Sequence, residues 1–395
     1  MKNFTGVETL IPLPGNWSNT LNEWFCGLLL DEPKAQPPVS EQEWQSWLKF
    51  VEWHGMSSLI FTLLRSMEIH SQPPVEIYAA LRQAYFANAA RIMVRRSQLE
   101  ILVKQLRTEK IEPVVLKGAA FGEMIYSDIL QRPSADIDIL VSKKEYEKAR
   151  KVILQNGYDS KRGERTREMD WICQEDFIPI GNDKDRKHVV ELHWGLSSHV
   201  QILNKIDTPL LIRQAVKVEG LNHSMLVLHP VHALIHTCAH LLYTHINELR
   251  LIWLYDIHLL AQSIERLGTW SETIEQSQQW QGRLALKYCL ELANKWFETP
   301  FPEQIRDLNH KPASRQEMEL FNLAIYQFKH GQREGWLRRH LFQLSHLKGR
   351  DKFNYLRNRL FPSRREIEAG YPRLRFWPGP LIYLGRLAMM FVTKK

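Results

Sequence analysis

Two carboxylates, Asp136 and Asp138, stand one residue apart in the stretch RPSADIDILV (132–141). The accompanying Ile137, Ile139, Leu140 and Val141 read as a strand entering a core. Strand side chains alternate, so both acids share one face, roughly 6–7 Å apart. Bare carboxylates in that position repel each other and lose hydration, which a cation, a raised pKa or a basic partner must offset. Oxygen ligands at a strand end suit Mg2+, which fills its remaining positions with water and substrate phosphate. An isolated pair of this kind would more readily be a solvated feature of a sheet edge.

This pair has company. Lys117–Gly118 closes the apolar run VVLKG and opens a helix. Free amides at a helix start suit a phosphate chain, and glycine lets backbone approach it. Lys117 adds a point charge, and Arg132 could offer a guanidinium fork to phosphate oxygens. A third carboxylate, Glu191, lies in VVELHW, and His193 shares its strand face two residues on. Acids on neighbouring strands facing a glycine turn are the components of two-metal phosphoryl or nucleotidyl transfer.

The elements that must position these residues alternate over 111–196. IEPVVLKG reads as a strand, AAFGEMIYSDI as a helix, and the DxD strand follows. SKKEYEKARKVILQNG opens with a capping box, Ser142 and Glu145, and closes on Asn156–Gly157. DFIPI (176–180) and HVVELHW (188–194) read as a hairpin about the polar turn GNDKDRK. Residues 1–110 read as helical, with a second capping box at Ser40 and Glu43 and a long amphipathic segment from about Val75 to Leu106. The chain is mostly helical again over 203–330, and 331–395 forms a basic, aromatic-rich helical tail.

Charge and cysteine usage set outer bounds. From Gly331 to Lys395 there are 15 Lys/Arg against 4 Asp/Glu, leaving 37 basic against 40 acidic residues elsewhere. The body is therefore near neutral and the tail basic, which suits an anionic partner such as RNA or a membrane surface, or a solvated helical cover over the body. Cys26, Cys173, Cys238 and Cys289 form no CxxC pair, so a reducing, cytoplasmic setting is expected, with peripheral membrane contact through the tail as the alternative. The opening MKNFTGVETLIPLPGNW lacks a basic stretch followed by an apolar run, so no secretory signal is expected, and no apolar run is long enough to span a bilayer.

Other residues have two readings each. His232, His236 and His240 recur at helical spacing and could share a metal, but no HExxH accompanies them and their neighbours look like core. Asp256, on an otherwise apolar helix face, reads as one half of a salt bridge, to Arg250 or to an arginine elsewhere, with a pocket-facing role as the alternative. Trp194 should face away from Glu191 and pack.

The run VVLKGAAFGEMIYSDILQRPSADIDILV followed by VELHW resembles the uncharacterised nucleotidyltransferase family of the DNA polymerase β superfamily, over about residues 45–265. The resemblance implies an α+β, mostly helical fold: a small mixed-sheet nucleotidyltransferase core (111–202) flanked by N-terminal helices and a C-terminal helical domain. It implies that Asp136, Asp138 and Glu191 bind two Mg2+ ions, with Glu191 helping to activate an acceptor hydroxyl. Gly118 and the amides after it would hold the triphosphate, and a histidine pair like His236 and His240 would line the nucleotide pocket. On the residues' own reading, Lys117 and Arg132 could stand in for a missing loop serine, and His193 could orient Glu191, contact substrate or simply bond within the structure. The implied activity is metal-dependent transfer of a nucleoside monophosphate from an NTP such as ATP, the base being left open, to a hydroxyl on a peptide, small molecule or RNA. The alternative is a weakly catalytic nucleotide-binding adaptor acting through its basic tail. One departure favours that alternative: Ala119 follows Gly118 where the superfamily commonly has serine or glycine. The spacing to the DxD is also longer than usual, similar to that of abortive-infection nucleotidyltransferase toxins.

Overall fold

The computed structural model describes residues 11–392, except 12, 33, 162–172, 182–187, 198, 200–201, 203–204, 220–223, 308–312, 348 and all of 362–377 but 364, 367, 374 and 376. The side chains of 330–339 and several beyond are likewise outside the description.

Four helices come first: α1 (Asn19–Leu29), α2 (Glu41–Trp53), α3 (Ser57–Arg65) and α4 (Val75–Thr108). The Ser40–Glu43 capping box is present in both directions at the start of α2. Trp24, Trp44, Trp47 and Phe25 bury against one another edge to face, the arrangement their ring quadrupoles favour. Helix α4 is 34 residues long, about 50 Å at 1.5 Å per residue.

The α/β elements follow: β1 (Val114–Val115), α5 (Lys117–Met124), β2 (Asp136–Leu140), α6 (Tyr146–Gln155), β3 (Tyr158–Ser160), β4 (Gln174–Pro179) and β5 (Val189–His193). The Ser142 amide and hydroxyl donate to the Glu145 carboxylate at 3.3 and 2.5 Å, holding the turn that leads into α6. The hairpin expected from DFIPI and HVVELHW forms as an antiparallel β4–β5 pair, and its turn, 182–187, lies outside the described residues.

The sheet does not end at residue 202. After α7 (Thr208–Arg213), β6 (Val216–Glu219) and β7 (Ser224–Val227) join it, giving the seven-stranded order β3-β4-β5-β2-β1-β7-β6. The β1–β7 and β2–β5 pairs are parallel and the rest antiparallel. VKVE and SMLV do alternate in burial, but four-residue runs between helical stretches are too short for periodicity to stand out.

Helices α8 (Pro230–Thr244), α9 (Leu251–Leu267), α10 (Trp270–Gln279), α11 (Arg283–Phe297) and α12 (Glu303–Arg306) then pack together. Gly268, at φ 66°, ends α9 in the left-handed conformation that a side chain would strain. Helices α13 (Arg315–His346), α14 (Gly349–Leu360) and α15 (Gly379–Val392) complete the described chain. One apolar core runs from Ile11 to Ala324, so N-terminal helices, sheet and C-terminal helices share it. The fold is α+β and mostly helical, with a mixed sheet. No helix among the described residues is long and apolar enough to cross a membrane.

Candidate active site

The sheet register brings the acids together. Asp138 on β2 lies opposite Glu191 on the parallel β5, and Asp176 on β4 lies opposite Glu191 from the other side. Gln174 on β4 is level with His193. Because residues at even spacing share a face, Asp136, Asp138, Glu191, His193, Gln174 and Asp176 form one polar surface. Glu175, between the last two, points to the other face. There it is fully buried and accepts hydrogen bonds from Tyr146, Ser160 and Arg150. Trp194 also packs away from the acids, its ring 4.4 Å from that of Tyr146.

Lys117 reaches into the acid surface from the first position of α5. Its Nζ lies 2.7 Å from Asp138 Oδ1 and 3.5 Å from Glu191 Oε2. The residue has φ 50°, a left-handed conformation that costs a lysine about 1–3 kcal/mol. Two contacts hold it there: the ammonium in the acids and the Leu116 amide, which donates to Asp138 O at 3.0 Å.

His193 Nε2 lies 2.9 Å from Asp138 Oδ1 and 3.4 Å from Glu191 Oε2. Gln174 Nε2 donates to Glu191 at 3.3 Å and to Asp176 at 3.2 Å. Ser134 Oγ donates to the Asp136 carboxylate at 3.3 Å and to its carbonyl at 3.2 Å. Ser134 also stands over Gly118, where a Cβ would come within 2.8 Å of both the serine Cβ and Oγ.

The charges follow from these contacts. Burial, with Asp138 and Glu191 nearby, pushes the Asp136 carboxyl up to about 6. Burial acts the same way on Asp138, but the Lys117 ammonium and His193 overcome it and hold Asp138 well below the usual carboxylate range. Burial would lower the His193 imidazole, yet its bond to Asp138, with Cys173 and Glu191 adding, raises it to about 10. Lys117 is raised too, its burial outweighed by Asp138 and Glu191.

Arg132 is placed differently from the expectation. Its guanidinium is buried and faces Asp256 on α9, with Nε to Oδ1 at 2.7 Å and Nη2 to Oδ2 at 2.6 Å. Tyr126 donates to the same carboxylate at 2.7 Å. The fork that a phosphate would need is engaged, and Arg132 holds the loop before the acids against the helical half. Asp256 thus finds its salt-bridge partner in Arg132. Arg250 instead lies over the rings of Trp53 and Trp253.

Helix α4 supports the same loop from behind. In order along it, Tyr85 donates to Asp128, Asn88 to Leu130 O and Arg95 to Ser134 O. His188, just before β5, bridges Ala135 O and Arg91 O through its two ring nitrogens.

His236 and His240 sit on α8 and line a cavity that also touches Lys117, Gln174 and His193. Burial, and then the nearby Lys117, lowers His236 to about 3 and His240 well below its usual value, so both are neutral. His232 stacks on Trp280. Among the described residues the one group able to share a metal is Asp138, Glu191 and His193, whose ligand atoms lie within 4.8 Å of one another. The histidine ladder is not such a group.

Sequence reasoning missed Gln174, Asp176, Ser134 and Arg95. Starting the strand at Asp176 concealed the alternation of Gln174 and Asp176 about Glu175. Arg95 carries no local signal, because only the tertiary packing of α4 buries it.

Carboxylates gathered on a sheet face beside a helix start are the arrangement of a phosphoryl-transfer enzyme. The family model for the uncharacterised nucleotidyltransferases matches residues 40–298, and the chain belongs to that family. It is a transferase with a nucleotidyl-transfer role. No curated protein matches it.

Proposed function

We propose that the protein is a divalent-metal-dependent nucleotidyltransferase that moves a nucleoside monophosphate from an NTP to an acceptor hydroxyl. The observation that carries this reading is the Lys117 ammonium between Asp138 and Glu191: a cation already stabilised among carboxylates marks where a metal ion fits. Oxygen donors from Asp138, Glu191 and Asp136 suit Mg2+. When bound, the metal would neutralise charge on the phosphates and lower the pKa of the acceptor hydroxyl.

The protein's own residues do the rest. Gly118 and the amides of α5 offer donors to the phosphates, and Lys117 exchanges a carboxylate partner for phosphate oxygen. Ser134, over Gly118, brings to this turn the hydroxyl that Ala119 lacks. The acceptor oxygen bonds to the α-phosphorus as the bond to pyrophosphate breaks, and Glu191 takes the hydroxyl proton. His193 and Gln174 hold Asp138 and Glu191 in place.

The test is incubation of the full chain with α-labelled triphosphates and Mg2+ or Mn2+, following pyrophosphate release and label transfer. Asp138→Asn and Glu191→Gln should each lower turnover at least about a hundredfold while melting cooperatively. Turnover that persists in both variants, or that is indifferent to chelation of the metal, overturns the reading.

A further inference from the structure

A series of rings leads from the reaction centre to the surface. His236 and His240 of α8 line the cavity that Lys117 and His193 also touch. Their rings lie 5.7 Å apart, His240 lies 4.7 Å from His245, and His245 lies 5.1 Å from Trp253 on α9. The Arg250 guanidinium then bridges two indoles, 5.6 Å from the Trp253 ring and 5.4 Å from the Trp53 ring. Trp53, the outermost member, is 60% exposed and is not part of the apolar core.

The backbone fixes this outer end. Trp53 is the last residue of α2, and Arg250 directly precedes α9. His54 accepts from the Leu251 amide through Nδ1 and from the Ile252 amide through its carbonyl, each at 3.3 Å. Gly55, at φ 70°, turns the chain there, and a Cβ on it would come within 3.2 Å of Ile252. The two indoles are therefore held in place without a ligand. Asp256, about one turn beyond Trp253, grips Arg132 in the loop before the DxD strand. The same helix thus positions the outer rings and the approach to the acids.

Indole faces flanking a guanidinium suit a planar ring joined to an anion: a base stacks while its phosphate meets the cation. Arg250 Nε has no hydrogen-bond partner among the described residues. Glu52 and Glu248, both exposed, adjoin these residues in sequence, so stacking, more than a positive field, must select the partner. Stacking needs bases free of pairing. Helix α13, which carries the chain into its basic stretch beyond Gly331, packs on α8 and on residues 246–248. Its Gln343 meets His199 of the cavity lining at 3.2 Å.

We infer that Trp53, Arg250 and Trp253 form a binding platform for single-stranded nucleic acid, from which the ring series leads the strand's end to the acids as the acceptor. Binding stands on this geometry alone. The acceptor role rests on the nucleotidyl-transfer reading above and names its substrate class.

The experiment measures binding of a fluorescent eight-nucleotide RNA, a DNA of the same sequence and the corresponding duplex to the full chain, without triphosphate or metal. A single strand should bind at least about tenfold more tightly than the duplex, whose base faces are hidden. Trp53→Ala and Arg250→Met should each raise its Kd about tenfold, the scale of one lost base stack. Arg250→Met should also lower the slope of log Kd against log salt by about 0.7, the share of one phosphate contact. Phe86→Ala removes a similarly exposed aromatic, paired with Arg82 on α4, and should leave Kd unchanged. Preference for the duplex, an equal loss in Phe86→Ala, or an unchanged Kd in both platform variants overturns the inference and leaves the transferase reading standing. With α-labelled triphosphate and Mg2+, the label should pass to the end of the bound strand. Metal-dependent pyrophosphate release with an unlabelled strand overturns the acceptor role alone; absence of that release overturns the transferase reading and the acceptor role together.

Discussion

Lys117 Nζ rests 2.7 Å from Asp138 Oδ1, a covalently tethered cation in the place a metal would take. The tethered charge and a free ion therefore compete for the same oxygens. Lys117→Met should tighten Mn2+ binding to the free protein, because the carboxylates lose their internal partner. It should also lower nucleotidyl transfer, because phosphate loses a ligand. Titration calorimetry with Mn2+ alone, set beside turnover, checks the opposite signs; weaker metal binding in the variant would show that the lysine supports the site instead of occupying it.

Arg132 and Asp256 are both buried and bound through two parallel contacts. Removing one partner leaves the other charged without a counterpart. Asp256→Ala should cost about 3–5 kcal/mol, read by urea unfolding. The cost should shrink when Arg132→Met accompanies it, since the stranded charge is then gone.

Gly118 and Ser134 fit because glycine lacks a Cβ: one added there would stand 2.8 Å from the serine Cβ and Oγ. Gly118→Ala should destabilise by about 1–3 kcal/mol. In a Ser134→Gly background both crowding atoms are absent and most of that cost should disappear. Additive costs in the double-mutant cycle would place the strain elsewhere.

Three buried histidines remote from the acids, His54, His232 and His258, are lowered to about 4, chiefly by burial. The unfolded chain takes up their protons first, near 6.5. Stability they contribute is therefore complete above that pH and declines as pH falls toward 4, by about 1.4 kcal/mol per unit for each. His232→Phe keeps the stack on Trp280 and should flatten the fall in melting temperature between pH 6.5 and 4.5. An unaltered slope would mean that His232 is protonated in the fold.

Much of this arrangement was legible from residue order. The alternation around Ile137 and Ile139 put Asp136 and Asp138 on one face, and the length of VVELH put Glu191 and His193 on another strand. Neighbouring strands were expected, but the register that sets Asp138 opposite Glu191 was not legible, because it depends on which edges pair. The guanidinium of Arg132 was misread for a related reason. An arginine just ahead of two acids suggests phosphate, and only the packing of α9 against the loop reveals Asp256. The interruption of helical pattern at VKVE is visible once the sheet is known, but its four residues sit below what alternation can distinguish.

Tyr85, Asn88 and Arg95 meet residues 128, 130 and 134 in succession. The approach to Asp136 is thus laid along a single long rod, and its placement is graded by turns of that rod more than by the short loop itself. A stretch beginning at 111 would carry every acidic residue of the reaction centre and none of the scaffold that aims them. The family-matched region, residues 40–298, takes in the whole rod together with the sheet.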